Sequence, residues 1–248
     1  MYTLIIFSAV VFLPLPIMAK AAKKTGSGYR AILEGVIGVA MAMVLFFVIA
    51  AVSGVPVGQT ISGDLQTMSE NLSVNSDFIK LTGLGDLSFA ERVTTITQLY
   101  TYAINALPGV VLSWATIIAY FEYIMISKAS LKTSAPWPQL PKFKDFSMPR
   151  KALWGWILIY LLTWIVVSLD FMESDVLQIN IQLLFELVFQ IQGMSVIFYF
   201  CDNKKLPKIV AILLSIVFMC TNVGKFLLVF MGFLDLGFGL RKIITKRQ

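Results

Sequence analysis

The chain has 248 residues, of which 58% are hydrophobic and 14% charged, with a mean hydropathy of +0.81. Soluble domains run at about 45–50% apolar and roughly 25% charged residues, so this composition excludes an ordinary soluble fold. The net charge of +6 does not point to nucleic acid, because the lysines and arginines sit in short connections between apolar blocks and form no basic surface interleaved with aromatics.

The apolar residues fall in blocks at 2–19, 31–55, 97–126, 152–169, 176–200 and 207–240. A helix needs about 20 such residues to cross the roughly 30 Å hydrocarbon layer. The pattern predicts an all-α polytopic transmembrane helix bundle, a single integral membrane domain over residues 1–248. The first block, MYTLIIFSAVVFLPLPIMAK, lacks a positive leading region and its charges, Lys20, Lys23 and Lys24, follow the apolar run. It reads as a retained span and not as a cleaved signal peptide.

The connections alternate in sign. Segment 20–30 is basic, and 57–96 carries Asp64, Glu70, Asp77, Asp86 and Glu91. The latter is rich in Gly, Ser, Asn and Asp and is expected to be a mobile extracytoplasmic loop with one or two amphipathic turns. At about 40 residues it is too short to bury a core of its own. In the third block, YTYAINALPGVVLSW, Pro108 removes a backbone donor and Gly109 loosens the next turn, so a kink is expected near Asn105.

Segment 127–151 follows, with Lys128, Lys132, Lys142, Lys144, Arg150 and Lys151 against Asp145. Its stretch APWPQLPKFKDFSMPR has four prolines and cannot be a regular helix. It reads as a stiff connector lying on the membrane, or as a surface for a cytoplasmic partner through Trp137, Phe143, Lys144, Phe146 and Arg150. The turn 170–175 is acidic and 201–208 is basic. The positive-inside bias puts the basic connections in the cytoplasm and the N-terminus outside. If block 207–240 crosses once, there are six spans and a basic tail on the outer side. If it turns back near Asn222-Val-Gly-Lys225, there are seven, and 17 of the 20 basic residues share one face.

The fifth block raises the chemical question. In QINIQLLFELVFQIQGMS, Gln178, Gln182, Glu186 and Gln190 advance by 40° each on a helix and form one polar stripe, with Asn180 off it. A carboxylate at the bilayer centre costs at least about 2.5–3.5 kcal/mol, so the stripe should face protein or water. Lys225, inside the last apolar block, is a candidate partner for Glu186. The stripe with Asn105 and Lys225 is a candidate solute lining. The alternative is packing, since Gln and Asn often only bond neighbouring membrane helices.

No catalytic constellation emerges. There is no histidine, which excludes Ser-His-Asp and Cys-His arrangements and His metal ligands, and Cys201 and Cys220 have no metal-ligand spacing. No phosphate-cradling loop is present. The expectation is a protein that is not an enzyme and has no metal or cofactor, with the lipid bilayer as its surroundings. A small molecule, other membrane subunits or a cytoplasmic protein remain as possible partners.

Three segments carry a resemblance: LPKFKDFSMPR (140–150), LVFQIQGMSVIFYFCDNKKLPK (187–208) and GFLDLGFGLRK (232–242). Their order and spacing resemble the YybS-like family of bacterial multi-pass membrane proteins. Phe146 and Pro149 match its loop, and Gln192-Gly193-Met194-Ser195 with Phe198-Tyr199-Phe200 matches its second block. Gly232, Asp235, Phe238, Arg241 and Lys242 match its third. That family is distantly similar to the substrate-binding S subunits of energy-coupling-factor transporters. The resemblance therefore implies a bacterial cytoplasmic membrane and capture of a small solute in a helical bundle. It also implies further hydrophobic segments ahead of the block aligned with 1–55, where this chain begins directly with one.

Overall fold

The computed structural model describes residues 8, 10–53, 57–169 and 174–242, and all regular structure among them is helical. The first expected span, 2–19, thus lies partly outside the described residues. Nine helices are described here: α1 (Pro14–Thr25), α2 (Gly28–Val52), α3 (Val57–Val74), α4 (Ser76–Thr82), α5 (Phe89–Ser130), α6 (Arg150–Ser168), α7 (Ser174–Asn203), α8 (Lys208–Cys220) and α9 (Asn222–Phe238). Short 3₁₀ turns lie at Leu84–Asp86 and Phe143–Asp145.

By length and composition, α2, α5, α6 and α7 are each able to cross a membrane. The last apolar block is neither a straight span nor one helix. It breaks at Thr221, whose side chain accepts a hydrogen bond from Gly224 N, and α8 and α9 are bent by 116°. With 13 and 17 residues, the arms are about 20 and 26 Å long. Both ends of the pair lie at one pole of the bundle. Lys208 lines a cavity with Lys144, and Arg241 bonds the Lys144 carbonyl. The chain therefore turns back at Thr221, and Arg241 comes to the same end as Lys142, Lys144 and Lys208.

Two groups of helices make the core. Met18, Ala21, Ala22, Ala31, Ile32, Ala119 and Tyr123 pack α1, α2 and α5 together. Leu153, Phe189 and Leu236 join α6, α7 and α9, while Ile197, Cys201, Ala211 and Leu228 join α7, α8 and α9. Helix α7 is the hub, touching α5, α6, α8, α9 and the Phe143–Asp145 turn. Its contact with α9 is backbone against backbone. A Cβ on Gly193 would collide with the Leu228 carbonyl, and one on Gly232 with the Phe189 carbonyl. Small residues permit such approach where apolar burial gives helices no reason to associate in lipid.

The segment 57–96 departs from expectation. Instead of one or two turns in a mobile connection, it forms α3, α4 and a 3₁₀ turn, with α3 packed along α5. The reason is local capping. Asn75 accepts from Asp77 N and Phe78 N, Gly83 ends α4 in the left-handed region, and Ser88 with Glu91 forms a capping box that starts α5. Arg92 donates to the carbonyls of Leu87 and Ser73, tying α3 to α5. Helix α5 has 42 residues, about 63 Å, twice the hydrocarbon thickness, and its polar first turns stand at this acidic end.

Helix α7 ends with Leu206 N on Cys201 O and Lys205 N on Asp202 O, a Schellman motif in which Lys205 holds a φ of 55°. A left-handed conformation costs a non-glycine residue about 1 kcal/mol. Lys205→Gly is therefore expected to raise stability by about 0.5–1 kcal/mol, read as a higher midpoint of unfolding in detergent. Gly193→Ala and Gly232→Ala are each expected to lose at least about 2 kcal/mol in the same assay, because the obstacle is backbone that cannot turn aside.

Candidate functional site

Polar groups inside this bundle gather at two places along α7. The first is a buried knot at the basic end. Gly239, at a φ of 68°, ends α9 and reverses the chain, so that Arg241 comes back beside Asp235. Arg241 Nε lies 3.1 Å from Asp235 Oδ2, and the Arg241 backbone N–H reaches Oδ1 at 3.3 Å. The Asp235 side chain is 4% exposed and that of Arg241 13%, so this pair is largely withdrawn from solvent.

The Nη1 and Nη2 groups reach the proline-rich loop and α7. Arg241 Nη1 donates to Lys144 O at 2.8 Å, and Nη2 donates to Phe146 O at 2.7 Å and Ser195 Oγ at 3.0 Å. Ser195 Oγ in turn lies within donating distance of the Phe143 and Phe146 carbonyls. Gln192, fully buried, donates to Asp235 Oδ2 at 2.6 Å and accepts from Met148 N at 3.1 Å. The guanidinium also lies 5.6 Å from the Tyr199 ring centroid. Planar geometry with five donors suits Arg to such a multi-sided site.

The loop is thus fixed along its length. Phe143 packs edge-on to Phe198, Phe146 edge-on to Tyr29, and Trp137 lies against Tyr123. Tyr123 Oη donates to Pro138 O, and Trp137 N donates to Ser130 Oγ. The three aromatics expected to face a partner are half-buried against the bundle, while Arg150 is exposed. Lys144 forms an ion pair with Asp202, and that hydrogen bond holds its pKa above the usual lysine value.

The second place is at the acidic half. Asn180 presents Oδ1 to Gly109 N and donates from Nδ2 to Asn105 O at 2.7 Å and Val176 O at 2.6 Å. Asn105 O and Gly109 N are the groups an unperturbed helix would bond to each other across one turn. One amide from α7 therefore engages both sides of the turn around Pro108, and α5 continues from Phe89 to Ser130. Gly109 is needed for the approach, since a Cβ there would stand 2.8 Å from Asn180 Oδ1.

Beside this contact, α5 and α7 enclose an open cleft of about 480 Å³. Thr97, Gln98, Thr101, Tyr102 and Asn105 line it from α5, and Gln178, Ile179 and Gln182 from α7. Of the expected solute-lining set, Asn105, Gln178 and Gln182 come together here. Glu186 adjoins it by accepting from Gln182 Nε2 at 2.9 Å. Gln190, half-buried, and Lys225, exposed, do not line the cleft. The pairing of Glu186 with Lys225 is not formed; the described ion pairs are Arg30–Glu34, Lys144–Asp202 and Arg241–Asp235.

Asn180 and Gln192, the two amides that make the tightest interhelix bonds, lie off the stripe that sequence spacing picked out. A helix packed on several sides has no single polar face, and only their repeated placement opposite backbone groups reveals them.

The arrangement is that of a polytopic helical membrane protein organised around one central helix. The chain belongs to the family described as "Predicted membrane protein (DUF2232)", which matches residues 2–236. It is similar to the Bacillus subtilis (strain 168) protein named "Uncharacterized protein YybS", at 23% identity over 134 residues. That match covers 54% of this chain and 43% of the relative, so less than half of the relative's length is spanned. No solved structure matches the chain. The three segments that carried the resemblance, 140–150, 187–208 and 232–242, are those that meet in the Asp235–Arg241 knot.

Removing one partner of a buried ion pair leaves the other uncompensated and costs about 3–5 kcal/mol. Arg241→Met and Asp235→Leu are each expected to lose about that much stability, and the double variant less than their sum. Arg241→Met should also speed tryptic cleavage after Lys142 and Lys144, read on a gel. Additive losses with unchanged cleavage would show that the two residues act separately.

Proposed function

We propose that this protein binds a small, uncharged, hydrogen-bonding solute in the cleft between α5 and α7, in a bacterial cytoplasmic membrane. The role resembles that of a solute-capturing S subunit, a binding task and not an enzymatic one. The observation that carries the reading is the lining: seven of its eight residues present amides or hydroxyls, and none is a lysine or arginine. Its volume of about 480 Å³ is within the range of small-molecule sites, roughly 300–1,000 Å³.

Such a lining selects partners that offer donors and acceptors without net charge, as polyols, amides and heterocycles do. A polar cleft on rigid helices also suits specificity, because a solute lacking a matching group leaves a cleft amide unpaired. The positive-inside bias puts the acidic end, and with it the mouth of this cleft, on the outer face. The alternative of a scaffold recruiting a cytoplasmic protein through its proline-rich loop has less in its favour, because Phe143, Phe146 and Trp137 pack inward.

The protein purified in mild detergent should retain a small molecule detectable by native mass spectrometry. Gln178→Leu with Gln182→Leu is expected to reduce retention at least about tenfold with little change in melting temperature, since both side chains are exposed to the cleft. Lys142→Gln, at the other pole, should leave it unchanged. Retention that ignores the glutamine changes would contradict the reading.

A further inference from the structure

A second cavity, of about 310 Å³, opens at the basic end between the loop, the end of α7 and the start of α8. We propose that it is a site for the phosphate headgroup of an anionic membrane phospholipid. Three observations converge on it. Lys142, Lys144 and Lys208 stand on its rim against a single carboxylate, Asp202, so the site has an excess of positive charge. Its wall is apolar, made by Phe143, Phe198, Leu206 and Ala211. The first turn of α8 also starts here, and its N-cap is Pro207, with no side chain satisfying the leading N–H groups.

Each feature answers one part of an amphiphile. Lysines near a membrane surface attract anionic headgroups, and an uncapped helix start favours a phosphoryl oxygen. Below the rim, on the side of α8 that carries Lys208, Ile212, Ile216 and Met219 are exposed, an apolar track along which acyl chains can lie. Asp202 is paired with Lys144, so Lys142 and Lys208, both exposed, are the cations left for the phosphate. A freely soluble phosphate shares the headgroup chemistry, but has no use for the apolar wall or track.

The test uses full-length protein stripped of lipid in detergent and read by native mass spectrometry. The probes are phosphatidylglycerol, phosphatidylcholine and inorganic phosphate. Phosphatidylglycerol is expected to bind at least about tenfold more tightly than phosphatidylcholine. Lys142→Gln with Lys208→Gln should remove most of that preference at an unchanged melting temperature. A charge-matched control at the same pole, Lys20→Gln with Lys24→Gln, should keep it. Equal binding of the two lipids, a preference lost equally in the control, or phosphate displacing phosphatidylglycerol at equal concentration would each overturn the proposal, the last by assigning the cavity to a soluble anion.

Discussion

A guanidinium withdrawn from water needs acceptors and a countercharge, and Arg241 finds them in its neighbour Asp235 and in two distant parts of the chain, α7 and the loop. Asp235 supplies the countercharge from α9, Ser195 an oxygen from α7, and Lys144 and Phe146 their carbonyls from the loop. The loop has no helix or strand to satisfy those carbonyls, since its prolines forbid one. Each side therefore solves the other's problem. The loop finishes the solvation of the cation, and the cation fixes the path of the loop. Because Tyr123 and Ser130 hold the earlier part of the loop, the same connection joins the α1–α2–α5 group to the α6–α9 group.

At the acidic half, Asn180 plays a comparable part with no charge. Proline in α5 removes one donor from the helix, and the nearby glycine lets a neighbour come close enough to engage the turn. The outcome is a fixed α5–α7 contact with a polar cleft beside it. The protein thus carries two cavities of opposite character on one central helix: an uncharged one near the acidic end and a cationic, part-apolar one at the basic end.

The helical membrane class and the alternation of basic and acidic connections were readable from blocks of apolar residues and the placement of lysine and arginine. Gln178, Gln182 and Asn105, singled out on the sequence, line one cleft, and Pro108 lies inside one continuous helix, Phe89–Ser130. What escaped the spacing argument has physical causes. Gln192 and Asn180 are buried toward different neighbours of α7, so no single stripe contains them. Asp235 stood out only through the resemblance of 232–242, and its pairing depends on Gly239 reversing the chain to bring Arg241 back. Helix α3 was read as part of a mobile connection because its composition is polar, whereas capping and the Arg92 bonds to Leu87 and Ser73 settle it against α5. The loop aromatics were legible as interfacial residues, but which surface they would meet was set by distant segments.

The last two helices return to the basic end, and that return brings Arg241 onto the loop. Single cysteines introduced as Lys142→Cys, Lys208→Cys and Lys242→Cys, in a background with Cys201 and Cys220 replaced, can be probed with a membrane-impermeant thiol reagent in sealed vesicles of known orientation. All three should react from the same face. Reaction of the cysteine at position 242 from the opposite face would mean that α8 and α9 cross the membrane once, and the knot between Arg241 and the loop could not exist.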